Sequence, residues 1–207
     1  MMLRTAVLGC VASIAALAAG DPLAARCRTK IDEIESGRAR ANAVYMFSQA
    51  EINAYAREEL PTVVPDGLRS PAIELRPGTV IGTALIDFLQ MQHAKGVKAN
   101  WLIEKLIEGE RPTKVVIETQ SKDGRAVVYL RRLEISGIAA NATVLDFLIR
   151  NFFRPLYPNA HINEWFEMGY NIDHVDVGTG KVVVFIKSKL SPLPPPKPPP
   201  PPPIKKY

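Results

Sequence analysis

With 207 residues, 47% of them hydrophobic, the chain is long enough to bury one substantial core and offers room for one ordinary domain plus appendages. Its formal charge of +5 is not the charge of its central part: setting aside Arg4, Lys197, Lys205 and Lys206 leaves 22 basic side chains against 21 acidic ones. That balance leaves no basis for the clustered positive field of a nucleic-acid-binding surface, and no nucleic-acid partner is expected.

Met1-Met2-Leu3-Arg4 is followed by an acid-free apolar run from Thr5 to Gly20 and then by Asp21-Pro22. A positive start, a short apolar stretch and small residues at Ala18 and Gly20 are the layout of a secretory signal. Residues 1–20 are therefore expected to be a signal peptide cleaved after Gly20, and the protein to be exported to the periplasm or cell envelope. The alternative is a retained membrane anchor, but the run of 16 residues falls short of the roughly 20 that span a hydrocarbon core. Val7-Leu8-Gly9-Cys10 superficially matches a lipobox, yet the apolar run continues past Cys10 instead of ending before it. Cleavage leaves Cys27 alone, so no internal disulfide is expected and stability must come from packing.

In chain order, Asp21 and Pro22 predict the start of a helix reaching about Ser36, with an apolar stripe of Leu23, Cys27, Ile31 and Ile34. A short apolar stretch, Val44 to Phe47, leads into Ser48-Gln49-Ala50-Glu51, whose serine and glutamate fit a capping box flanked by the staple pair Phe47 and Ile52. The helix it opens is expected to bury Ile52, Tyr55, Ala56 and Leu60 and to end at Pro61. Strand-like alternation takes over at Ala72 to Leu75. The turn Arg76-Pro77-Gly78-Thr79 then leads into a long strand from Val80 to about Gln92. That strand is apolar on both faces, with Val80, Ala84, Ile86 and Phe88 on one and Ile81, Leu85, Leu89 and Met91 on the other, so both are expected to be covered by protein or by ligand.

Asn100 to Glu108 reads as an amphipathic helix with Trp101, Leu102, Leu106 and Ile107 inward and Gly109 at its end. Strands Val115 to Gln120 and Arg125 to Ile135 follow, joined through Asp123-Gly124, a hairpin signal. A broadly apolar helix spans about Asn141 to Phe153. A last hairpin pairs Tyr170 to Val177 with Lys181 to Lys187 around Gly178-Thr179-Gly180. From Ser191 onward ten of seventeen residues are proline, which neither donate backbone hydrogen bonds nor build a core. The chain thus divides into the signal, a single domain over 21–190 and a disordered proline-rich tail over 191–207. The tail serves as a spacer or as a ligand for an aromatic groove on a protein partner. The order of helices and hairpins predicts an α+β fold in which helices cover one face of a curled antiparallel sheet of five to seven strands.

The residues offer little catalytic chemistry. His93, His161 and His174 have no partners at metal-ligand spacing, and there is no Gly-x-Ser-x-Gly and no phosphate-binding glycine loop. In a regularly alternating strand His174 and Asp176 share a face while Asp173 points away, which reads as a solvated edge or a weak cation site. Cys27, beside Arg26 and Arg28, is either an activated thiol or, on its apolar stripe, a packed one. Asp87 on an apolar strand must be paired or lie near a rim, or else meet a polar head group. No enzymatic activity and no cofactor are expected.

Tyr45-Met-Phe-Ser-Gln-Ala-Glu-Ile-Asn-Ala-Tyr55 resembles the helix start of small envelope proteins related to YceB and LmeA. Ile73 to Thr83 is similar to their first hairpin, and Gly124 to Phe153 to their later hairpin and helix. The resemblance covers about Val44 to Ile186, although the turn Ser136 to Ala140 lacks a proline expected before the later helix. It implies half of the BPI-like, or TULIP, fold: a strongly curved antiparallel sheet wrapped around or packed on helices, with an apolar groove. Phospholipid or another apolar ligand, and peripheral membrane contact, are the partners this implies. The groove is expected to draw on Leu85, Ile86, Phe88, Met91, Trp101, Leu106, Leu148 and Phe152. The rival expectation is an envelope scaffold acting through its proline-rich tail; a hydrolase using His161 or His174 is a third.

Overall fold

The computed structural model describes residues 20–63, 67–88, 109–142, 145–146, 149–150 and 162–191. Within them the fold is α+β, with two helices and an open, large antiparallel sheet beside a smaller one. Helix α1, Pro22–Glu35, begins as its sequence directs: Asp21 Oδ1 accepts the Leu23 N–H at 2.9 Å, and Pro22 sits where no helical hydrogen bond is lost. Its buried face is Ala24, Cys27 and Ile34.

Strand β1, Val44–Ser48, runs directly into helix α2, Gln49–Val63. The capping box between them is complete: Ser48 Oγ accepts the Glu51 N–H at 3.2 Å and Glu51 Oε2 accepts the Ser48 N–H at 2.8 Å. Phe47 and Ile52, the staple pair, lie in one core cluster. Pro61 does not end α2, which continues to Val63. The proline stands in the last turn, where it removes a single backbone bond. Arg28 of α1 ties the helices together by pairing with Glu59 and, at 3.0 Å, with Glu58.

Eight further strands among the described residues complete the sheets: β2 Leu68–Arg76, β3 Thr79–Asp87, β4 Glu110–Lys122, β5 Arg125–Ile135, β6 Ile138–Ala139, β7 Trp165–Glu167 and then the hairpin β8 Ile172–Gly178 and β9 Lys181–Ile186. The large sheet has the order β2-β3-β4-β5-β6, with β7 also on β5, and the small sheet is β1-β9-β8. One sheet of five to seven strands was the expectation; the larger has six and the other three. The hairpin glycines Gly78, Gly124 and Gly180 all adopt positive φ, and Asp123 joins Gly124 there at 50°, as a tight Asp-Gly turn between right-twisted strands requires. Strand β3 stops at Asp87, short of the expected Gln92, and Phe88 already has helical backbone.

The two sheets meet where hairpin tips of the large one abut the outer edge of the small one. Gly124 N–H donates to Asp173 O at 2.7 Å, Gly78 N–H to Val177 O at 2.8 Å, and Ser121 Oγ both accepts from Val175 N and donates to Val175 O. Tips in this way pair an edge that otherwise invites another chain. The outer edge of β2 is covered by side chains of α2 instead. Asn53 accepts from Ile73 N at 2.6 Å and donates to Ile73 O at 2.7 Å, while Gln49 Oε1 accepts from Leu75 N at 2.8 Å. Gln49 and Asn53 are one helical turn apart, so a single face of α2 supplies both contacts. The core between α1, α2 and the small sheet is formed by Cys27, Ile34, Ala39, Phe47, Val184 and Ile186. No helix among the described residues is long and apolar enough to cross a membrane.

Candidate functional site

The strand register determines which side chains share a face of the large sheet. Val80 lies opposite Ile117, Gly82 opposite Val115 and Ala84 opposite Thr113, while Leu75 and Ile73 pair with Val80 and Gly82 from the other side. Alternate residues of three strands therefore present one continuous apolar face. On it lies a hollow of about 300 Å³, lined almost wholly by apolar atoms, including Leu60, Leu68, Val80, Ala84, Ile86 and Val115.

Small residues make the hollow. A Cβ on Gly82 would stand 3.0 Å from Val115 Cγ1, so glycine keeps the floor low and lets Val115 occupy the space beside it. Ala84 continues the low floor, and Leu60 of α2 closes one wall. Pro71 lies where the β2–β3 register shifts between Arg69 and Ala72; an edge strand with a bulge is the place in a sheet that tolerates proline. Thr113, the polar residue at the apolar floor, donates its hydroxyl to Arg111 O at 3.1 Å, so its polarity is satisfied within the protein.

Two other hollows are less suited to a ligand. The one of about 590 Å³ between α2 and the opposite side of the β2–β3 hairpin is lined by Gln49, Asn53, Arg57 and Glu74, but Gln49 and Asn53 are engaged by the β2 backbone. A third, of about 380 Å³, has a mixed lining that includes Leu85, Lys114 and Glu134.

Of the predicted groove residues, Ile86 lines the apolar hollow, whereas Leu85 faces the other side of the sheet and lines the mixed one. Successive residues of a strand point to opposite faces, so the two cannot share a groove. Phe88 is a core residue, 4% exposed, just beyond the end of β3. Met91, Trp101, Leu106, Leu148 and Phe152 lie outside the described residues. The sequence reading missed Leu60, Leu68 and Val115 as lining residues; the alternation of Val80, Ala84 and Ile86 was its available signal, and pairing with β4 gave that signal its second wall.

The remaining candidates resolve on local geometry. Asp173 and His174 do not point apart: a register shift between Ile172 and His174 breaks the alternation, and Asp173 Oδ2 meets His174 Nδ1 at 2.7 Å. The His174 ring stacks on Phe185 with centroids 4.1 Å apart. Among the described residues no group of three or more histidine, cysteine or acidic side chains is placed to hold a metal. Cys27 is a packed thiol, 2% exposed, and burial, helped by the charge of Glu51, pushes its pKa up, away from the reactive thiolate. Asp87 shares the face of Leu85, opposite the apolar hollow, and is partly buried. No known protein family, no curated protein and no solved structure matches the chain.

Proposed function

We propose that this protein is an exported, non-catalytic component of the cell envelope that binds a phospholipid or another hydrophobic ligand on the apolar face of its large sheet. In this reading residues 1–20 are the signal peptide, 21–190 the ligand-binding domain and 191–207 a tether. The sheet curves around the helices as in half of a BPI-like, TULIP-type fold, in keeping with the resemblance to YceB- and LmeA-like proteins. The observation that carries the reading is the hollow of about 300 Å³ over Gly82 and Ala84, walled by aliphatic side chains of β2, β3, β4 and Leu60. Its volume is at the lower end of the about 300–1,000 Å³ typical of ligand pockets. Each methylene taken from water into such a site contributes about 0.8 kcal/mol before the cost of association.

Native mass spectrometry with lipid extraction, on protein purified from the periplasm, tests the proposal. A stoichiometric co-purifying lipid that disappears in Ala84→Phe supports it. A clean apo mass with no uptake of offered lipid, or uptake unaffected by Ala84→Phe, counts against the hollow as the site. A scaffold acting through the tail has its own supporting observation: Asn171 accepts from Ser191 N at 2.8 Å and donates to Ser191 O at 2.9 Å, which fixes the start of the tail on the domain. Deleting Ser191 to Tyr207 abolishes activity on that reading and leaves ligand affinity intact on the first.

A further inference from the structure

The apolar face ends at a cation with an unmet hydrogen-bond donor. Arg111 alternates along β4 with Thr113, Val115 and Ile117, on the face that carries the hollow, and lies directly across from Ile86. Its Nε is buried, and among the described residues it is the one buried side-chain nitrogen or oxygen without a partner. The adjacent carboxylate, Glu110, is on the other face of the strand and pairs with Arg69 at 3.1 Å. Buried donors in folded proteins are almost always paired. A guanidinium with a dehydrated, unpaired N–H is therefore poised for an acceptor from outside the chain, and its planar fork suits two oxygens of a carboxylate or phosphate.

Building on the hydrophobic-ligand reading, we infer that Arg111 receives the anionic head, a carboxylate or a phosphate monoester, of a single-chain amphiphile whose hydrocarbon lies in the hollow. The hollow of about 300 Å³ sets the chain: a methylene needs roughly the 30 Å³ of a liquid water, so on the order of ten fit. The hydroxyl of Thr113, two residues along the strand, donates to Arg111 O at 3.1 Å, so its proton is already committed within the protein.

The test is calorimetric titration of the full chain at neutral pH with decanoate, decyl phosphate and decanol, and with acetate and inorganic phosphate. At least one ten-carbon anion is expected to bind about tenfold to a hundredfold more tightly than decanol, the increment of a charge-assisted hydrogen bond. Arg111→Met is expected to erase that preference while changing decanol affinity less than about twofold. The two anions identify the source, a free fatty acid or a phosphorylated lipid. Equal binding of decanol and both anions by the unaltered protein overturns the head-group assignment while leaving the hydrophobic reading standing. Failure of every ten-carbon probe to bind overturns both. Acetate or phosphate binding as tightly as its decyl counterpart also overturns the inference, because the hydrocarbon then contributes nothing. The comparison among probes on the unaltered protein decides the matter even if Arg111→Met does not fold.

Discussion

Replacing Glu51 by glutamine perturbs the junction on which both helices and the small sheet converge. Glu51 is 4% exposed, and its carboxylate accepts from Ser48 N at 2.8 Å and from Lys30 Nζ at 2.8 Å. Burial pushes the pKa of this group up, but the hydrogen bonds from Lys30 and Ser48 outweigh it and hold the carboxyl below its ordinary 4.5. Glutamine keeps the shape and an oxygen for Ser48 N, so the cap largely survives, while the charge facing Lys30 is lost. Breaking a buried pair costs about 3–5 kcal/mol. Lys30 retains Met46 O at 2.7 Å and is 25% exposed, so the expected loss lies lower, at about 2 kcal/mol, or roughly 4–8 °C in Tm. Urea unfolding of both proteins at pH 7 and pH 3 measures it. A depressed carboxylate pKa gives stability that is present above the unfolded-state value and fades as pH falls through the folded-state value. The gap between the proteins should therefore be full at pH 7 and shrink below about pH 4.5, the unshifted value. A difference under about 0.5 kcal/mol at pH 7 would refute the assigned role of the pair. A gap unchanged at pH 3 would show that the cost is steric rather than electrostatic.

Asn53→Ala removes both side-chain hydrogen bonds to Ile73; a loss of about 1–3 kcal/mol is expected, together with faster amide exchange at Ile73, and unchanged exchange there would contradict the edge-covering role. Ala84→Phe should fill the hollow and cut affinity for an apolar fluorescent probe at least about tenfold, with the near-ultraviolet circular dichroism showing whether the core is kept. Cys27, buried with a raised pKa, should react with a disulfide reagent only as the protein opens, faster in urea; stoichiometric labelling of the folded protein within seconds would contradict its packing.

Features that depend on a few neighbouring residues were legible in the sequence. Ser48 and Glu51 form the box their spacing announced, Asp21 caps α1, and β5 spans Arg125–Ile135 as read, because the Asp123-Gly124 turn fixes where it starts. The candidate site was legible only in part. The alternation on β3 placed Ile86 among apolar neighbours, but identifying a hollow required knowing that Val115 stands beside Gly82 and that Leu60 comes over the sheet. The bulge before His174, which turns Asp173 toward its ring, was likewise invisible to strict alternation.

By itself the sequence determined the caps, the glycine-bearing turns and, over the described residues, the α+β class, since these follow from short-range hydrogen bonding and backbone sterics. Tertiary structure alone decided that the strands divide into two sheets, that α2 covers the edge of β2 through Gln49 and Asn53, and that Leu85 and Ile86 serve different hollows. Those outcomes depend on strand register and on contacts between segments distant in the chain. A one-residue shift would turn every side chain of a strand to the opposite face.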